Sequence, residues 1–203
     1  MDKIIINNWL KTYLIGPMTQ TQANDEGAGW RLKLTKELES RIDENGNPIF
    51  IFNPCLLEQS KVGLNPKEFH KKIKGWVSSG NNDKVAEGSD LIWNGKTYLE
   101  REEDGTVRLI KLPGDNDYVE MSDFLICKIE EGDGPAGTYY EAGYAMKLKK
   151  PIYVLQTMAR EKYKESFIGW VFGTGGDFFE NQPQLLEFLD KTYSLKIRKT
   201  DAN

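Results

Sequence analysis

"FLICKIEEGDGPAGTYYEAGYAMKLKKPIYVLQ" (residues 124–156) carries the alternation on which the fold turns. Residues 124–130 open with a continuous apolar run, the pattern of a strand covered on both faces. A loop with Gly132, Gly134 and Gly137 follows. Small and aromatic residues from about 138 to 149 then read as a helix, stopped by Lys149-Lys150-Pro151. The lysines of the 147–150 run suit the negative end of a helix dipole. "PIYVLQ" restarts as a strand. A strand, a helix and a strand in this order mean two parallel strands joined by a crossover.

Outward from this unit the pattern recurs. "TYLIGP" (12–17) is a short strand ended by Gly-Pro, and "IFIFNP" (49–54) is a second, fully apolar one. Between them, in "WRLKLTKELESRI", Leu34, Leu38 and Ile42 recur at four-residue spacing among charges, which marks an amphipathic helix. "NPKEFHKKIKGWVSSG" (65–80) sets Phe69, Ile73, Trp76 and Val77 on one helical face, with Asn65 as N-cap and Pro66 at the first helical position. "DNDYVEMSD" reads as a helical turn, "FIGWVFG" (167–173) as a fifth strand and "QPQLLEFLDKTY" (182–193) as a closing helix. Residues 84–112 break the alternation. Their Asn94-Gly95 and Asp104-Gly105 are hairpin turn dipeptides, so one or two short surface hairpins are expected there.

The expected fold is a single α/β domain over residues 1–203, Rossmann-like in the flavodoxin-like sense. It has a five-stranded parallel sheet, helices on both faces and the 84–112 hairpin insertion. Such sheets bind ligands beyond the carboxyl ends of their strands. The loops after "TYLI", "IFIF" and "FLICKI" should therefore line one pocket.

Composition narrows the function. The chain has 203 residues, 39% hydrophobic and 29% charged, which is enough for one ordinary core. A net charge of −4 argues against a nucleic-acid polymer held by its backbone, while a small anion in a backbone-lined pocket stays open. Cys55 and Cys127 make neither a disulfide framework nor a metal site, and Cys127 within "DFLICKIE" reads as a buried thiol. "MDKIIINNWLK" has only three consecutive apolar residues, so no signal peptide is expected, and no run is long enough to span a membrane. The chain reads as cytoplasmic. His70, the single histidine, sits beside two lysines on a surface helix and supports neither a histidine triad nor a metal site. "GTGGDFF" (173–179) lacks the dinucleotide and P-loop patterns and is taken as a connecting turn.

Glu141 is the carboxylate to explain. It reads as lying in the first helical turn after the glycine loop, where free N–H groups and the helix dipole favour an ionised acid. The Thr138–Glu141 spacing fits a capping box, and on spacing alone that is the stronger reading. Ala142, Gly143 and Ala145 are small, which lets a ligand or second backbone come close.

"YLIGPM", "FNP", "DNDYVEMSDFLICKI" and "GTYYEAGYAMKLKKPI" together resemble the nucleoside 2-deoxyribosyltransferase family. The resemblance runs in order over roughly residues 12–156, apart from the 84–112 insertion. Gly29-Trp30-Arg31 matches its longer members, and G-T-x-x-E-x-G-Y-A before a K-P-I strand is the most specific piece. The resemblance implies that Glu141 is a nucleophile. In a two-step retaining exchange it attacks C1′ of a 2-deoxyribose, the base leaves, and a second base or water takes up the sugar. It implies that the Tyr13 hydroxyl steadies Glu141 and that Asp115 (or its neighbour Asp117) contacts the nucleoside and serves as acid. Gly16 would admit the ligand, Asn53 would bond base or sugar, and Gly137 and Thr138 would meet a 5′ oxygen or phosphate. Arg31 is the candidate cation for such a phosphate.

Plainer roles compete: core packing for Tyr13, a Gly-Pro turn for Gly16, turn formation before Pro54 for Asn53, a helix cap for Gly137 and Thr138, and a solvated loop for Asp115. One departure stands out. Many members carry an aspartate where this chain has Pro135, and Asp133 is the nearest carboxylate. Proline cannot relay a proton, which touches base exchange more than bond cleavage. The resemblance further implies a small nucleoside or nucleotide as partner, a homo-oligomer, and neither metal nor redox cofactor. A non-catalytic nucleotide-binding module and a hydrolase of the nicotinamide–ribose bond of NAD are the alternatives.

Overall fold

The computed structural model describes residues 9–17, 28–55, 66–101, 105–131 and 136–198. In chain order the elements are β1 (Lys11–Ile15), α1 (Ala28–Glu39), β2 (Arg41–Ile42), β3 (Phe50–Phe52), α2 (Pro66–Ser78), α3 (Asn82–Asn94), β4 (Lys96–Arg101) and β5 (Val107–Leu112). Then come α4 (Asp115–Met121), β6 (Phe124–Cys127), α5 (Ala136–Lys147), β7 (Ile152–Leu155), α6 (Glu165–Gly173), β8 (Asp177–Phe179), α7 (Gln182–Thr192) and β9 (Lys196–Ile197). The chain divides into two compact units, Met1–Asn53 with Ser122–Asn203, and Pro54–Met121.

The first unit holds the expected sheet: five parallel strands in the order β3-β1-β6-β7-β8. β6 is buried at all four positions, as a continuous apolar run demands when both faces are covered. Strand alternation divides the core in two. Leu14, Phe124, Ile126 and Tyr153 pack with Leu34 and Leu38 of α1 and with Leu185, Leu186 and Leu189 of α7. Tyr13, Ile15, Leu125 and Cys127 face the opposite side, where α5 and α6 meet through Tyr139 against Phe167, ring centroids 5.4 Å apart. A two-residue antiparallel pairing of β2 with β9 ties the carboxyl end of the chain to the end of α1, and Arg41 Nε donates to Asp190 of α7 at 2.7 Å.

The fifth strand is not where the sequence puts it. "FIGWVFG" lies in α6, and the strand is Asp177–Phe179, inside the stretch read as a connecting turn. A short apolar run has no period that separates strand from buried helix. Phe167 and Val171, four apart and both buried, are a helical pair.

The second unit contains α2, α3, α4 and the antiparallel β4–β5 ribbon. The 84–112 segment expected as hairpins is half helix. Asn94-Gly95 ends α3, where Gly95 adopts φ +69 and returns its N–H to the Leu91 carbonyl at 3.1 Å. β4 and β5 pair as one antiparallel hairpin, with Arg101 opposite Val107, and Asp104 lies outside the described residues. The dipeptide at 94–95 demanded a left-handed residue, and a helix end uses one as readily as a turn does. "DNDYVEM" is helical as expected. Asn65 and the connection at 56–65 lie outside the described residues, and Val77 of α2 is exposed, not part of a buried face.

Several phenols are buried with their protons on. In the first unit, Tyr153 and Tyr193 share a hydroxyl contact at 3.0 Å, and burial pushes both, with Tyr163, above the ordinary phenol range. In the second, burial and then the Asp115 and Asp117 carboxylates push Tyr118 up to about 12. A folded-state pKa above the unfolded value contributes stability below the unfolded value and loses it as pH rises through the folded one. Stability in urea should therefore fall as pH climbs past about 10, the unfolded phenol value. The tyrosinate absorbance of these buried phenols should appear together with unfolding, not before it.

Candidate functional site

The strand order fixes where a ligand site belongs. The chain leaves β1 toward β3 on one side and returns to β6 on the other, so the order reverses between β1 and β6, and a crevice opens beyond their carboxyl ends. β1 ends at Ile15, paired with Cys127 at the end of β6, and the Lys128 N–H donates to the Ile15 carbonyl at 3.2 Å. Gly16 follows at once. A Cβ there would lie 2.5 Å from the Lys128 carbonyl oxygen, 3.1 Å from Arg31 and 3.3 Å from the Trp30 ring, so no side chain fits.

Glu141 comes to this place from α5. It is buried, 7% exposed, and its Oε1 accepts a hydrogen bond from the Tyr13 hydroxyl at 2.9 Å, across 128 residues of sequence. The helix begins at Ala136, two residues before the expected start. Thr138 is therefore a helical residue, not an N-cap, and Glu141 lies in the second turn, not the first. The capping-box reading fails on this point, and the helix dipole, which fades beyond the first turn, is not the carboxylate's principal support. The tyrosine hydroxyl takes that place. Thr138 is itself buried beside the loop, and Gly137 is half-buried.

Arg31 sits inside the structure. It is fully buried, its Nε donates to the Leu14 carbonyl at 3.3 Å, another guanidinium nitrogen donates to the Gly16 carbonyl, and its plane lies 4.7 Å from the Trp30 ring centre. Expected as an open cation for phosphate, it is placed as a brace for the end of β1. Trp30, which the sequence offered only as part of a motif, forms one wall of that brace. Asn53, buried just past β3, donates from Nδ2 to the Thr35 hydroxyl of α1 at 3.4 Å.

Cys127 is the one nucleophile near Glu141 that the sequence assigned to the core. Burial pushes its thiol well up, the Glu141 charge pushes further, and Arg31 opposes both. The thiol stays protonated, so ionic chemistry here belongs to the carboxylate. Strand register is the signal that could have revealed the neighbourhood, because Ile15 and Cys127 end paired strands.

Asp115 opens α4 in the second unit and is buried. Its neighbour Asp117 is engaged locally, with Lys111 Nζ and with the Gly114 N–H at 2.8 Å. Asp133 and Pro135 lie outside the described residues. Elsewhere in the first unit, a cleft of about 440 Å³ is lined by Trp9, Lys11, Asp123 and Tyr193, at the amino ends of β1 and β6. Asp123 there accepts the Lys11 N–H at 2.7 Å. The cleft lies at the end of the sheet away from Glu141. Among the described residues no group of three or more His, Cys, Asp or Glu is placed to hold a metal, and no helix is long and apolar enough to cross a membrane.

Two substitutions test this geometry. Gly16→Ala should cost about 1–3 kcal/mol, because the Lys128 backbone cannot yield as a side chain would. Tyr13→Phe should cost roughly 1–3 kcal/mol, by removing one hydrogen bond to a buried carboxylate. Urea unfolding of each measures both. No protein-family model matches the chain, and no curated protein matches it.

Proposed function

We propose that the protein cleaves or exchanges the N-glycosidic bond of 2′-deoxynucleosides or deoxynucleoside monophosphates, with Glu141 as the nucleophile. One observation carries the reading: a buried carboxylate, hydrogen-bonded by Tyr13, at the point of the sheet where the strand order reverses. A carboxylate attacks only when ionised, and a phenol donor favours the ionised form without competing for the sugar. In the first step a Glu141 oxygen bonds to C1′ and the electron pair of the glycosidic bond leaves with the base. A proton from an acid neutralises that base, and the sequence resemblance implies Asp115 or Asp117 for that role. In the second step a new base or water attacks C1′ and Glu141 leaves, so configuration is retained.

Gly16 lets the end of β1 pack against the Lys128 carbonyl, Arg31 and Trp30, and Arg31 holds the Leu14 and Gly16 carbonyls in place beside it. Gly137 and Thr138 lie one turn before Glu141, which suits them to the 5′ side of the sugar. Asn53 serves base or sugar at the far side of β1. The reading needs no metal or redox cofactor. The enzyme works in the cytoplasm as a homo-oligomer on small nucleosides or nucleotides.

The test is a panel of deoxynucleosides and deoxynucleotides, each with and without an acceptor base, separated by chromatography. Free base or exchanged nucleoside should appear with the wild-type chain. Glu141→Gln should lower the rate by about three orders of magnitude or more with the fold intact. Mass spectrometry after a 2-fluoro-2-deoxynucleoside should find an adduct on Glu141. Wild-type rates from Glu141→Gln overturn the mechanism, and binding without adduct or turnover points instead to a nucleotide-binding module.

A further inference from the structure

The β4–β5 ribbon is the least supported element of its unit. Every residue of β4 is exposed. Leu99 and Leu109, directly opposite each other, are 69% and 70% exposed, with Val107 and Tyr98 also open to solvent. The sheet contains two strands, and among the described residues no further strand lies beside the outer edge of either. A two-stranded ribbon is marginal in water, and an exposed edge with apolar side chains is a template for another strand.

We propose that β4 is a self-association edge: two copies of the chain join β4 to β4 antiparallel, about a two-fold axis at Tyr98, forming a four-stranded sheet. Charge selects both the partner and the register. "KTYLER" (96–101) has Lys96 and Glu100 equidistant from Tyr98. With Tyr98 opposite its symmetry mate, Lys96 of each copy faces Glu100 of the other, twice by symmetry. Neither residue has an ion-pair partner within the described residues of its own chain. An axis between Tyr98 and Leu99 is excluded by the pleat, because residues that face each other across an antiparallel pair share a face, and Lys96 and Arg101 do not. Moving the axis to Leu99 sets Tyr98 against Glu100 and Thr97 against Arg101, and carries Lys96 past the last residue of the partner's β4, opposite position 102.

The favoured register also puts Tyr98 against Tyr98 on one face and Leu99 beside Thr97 on the other. Cross-strand pairs of this kind are the unit of sheet stability. The resulting sheet has β5 on each flank and β4 twice at its centre. This association is independent of the glycosidic chemistry, because none of these residues belongs to the proposed site.

Sedimentation of the full chain over a wide concentration range is the test. Wild type should show a reversible monomer–dimer equilibrium. Lys96→Glu should raise the dissociation constant about tenfold or more, since two attractive pairs become repulsive. The double change Lys96→Glu with Glu100→Lys should restore dimerisation, which a general loss of folding would not do. Tyr98→Cys should form an intermolecular disulfide under mild oxidation, with the wild-type chain as control for Cys55 and Cys127. A monomer at every concentration, a Lys96→Glu dimer as tight as wild type, or cross-linking by Leu99→Cys in place of Tyr98→Cys would each overturn the proposal.

Discussion

A carboxylate removed from water must be given donors, and in the first unit the Tyr13 phenol is one of them. The Tyr13–Glu141 hydrogen bond joins β1, the second strand of the sheet, to the helix that follows its neighbour β6. It requires that β1 and β6 pair in their observed register, since a slip of one residue would turn Tyr13 to the opposite face. It also requires that α5 lie on the Tyr13 side. Gly16, Lys128 and Arg31 hold the strand ends close enough for this. The bond thus links the packing of the sheet to the chemical state of the residue proposed to act.

Arg31 and Cys127 show how the interior tunes that state. A buried guanidinium with carbonyl partners is a fixed positive charge, and a buried thiol is a neutral filler. Both lie within electrostatic reach of one another and of the carboxylate's surroundings. On the α1–α7 side of the sheet leucines and stacked rings such as Phe124 on Tyr193 fill the space, and the buried Thr12 hydroxyl is a polar exception there.

Much of this was legible from residues alone, and the failures have physical causes. "FLIC" and "IYVL" are strands because an unbroken apolar run of four suits a doubly covered parallel sheet. "FIGWVFG" has the same composition in a helix, and composition cannot separate the two. Asn94-Gly95 announced a positive φ but not which structure would use it. Glu141 stood out as a carboxylate in a glycine-rich neighbourhood, but its support came from Tyr13, far off in sequence, and spacing along the chain is blind to such a partner. Arg31 was visible as a charge, and nothing local said that the charge would turn inward to two carbonyls.

The second unit is inserted between β3 and β6, and β6 is the inner neighbour of β1. The Lys11–Asp123 contact at the foot of that pair spans 112 residues. During synthesis the amino-terminal strands must therefore wait, with one side of β1 bare, until nearly two thirds of the polypeptide has left the ribosome. Closing so long a loop delays assembly far more than it weakens the finished structure. The nascent chain should lean on chaperones during that interval, and slowing elongation within residues 54–121 would lengthen its exposure to aggregation.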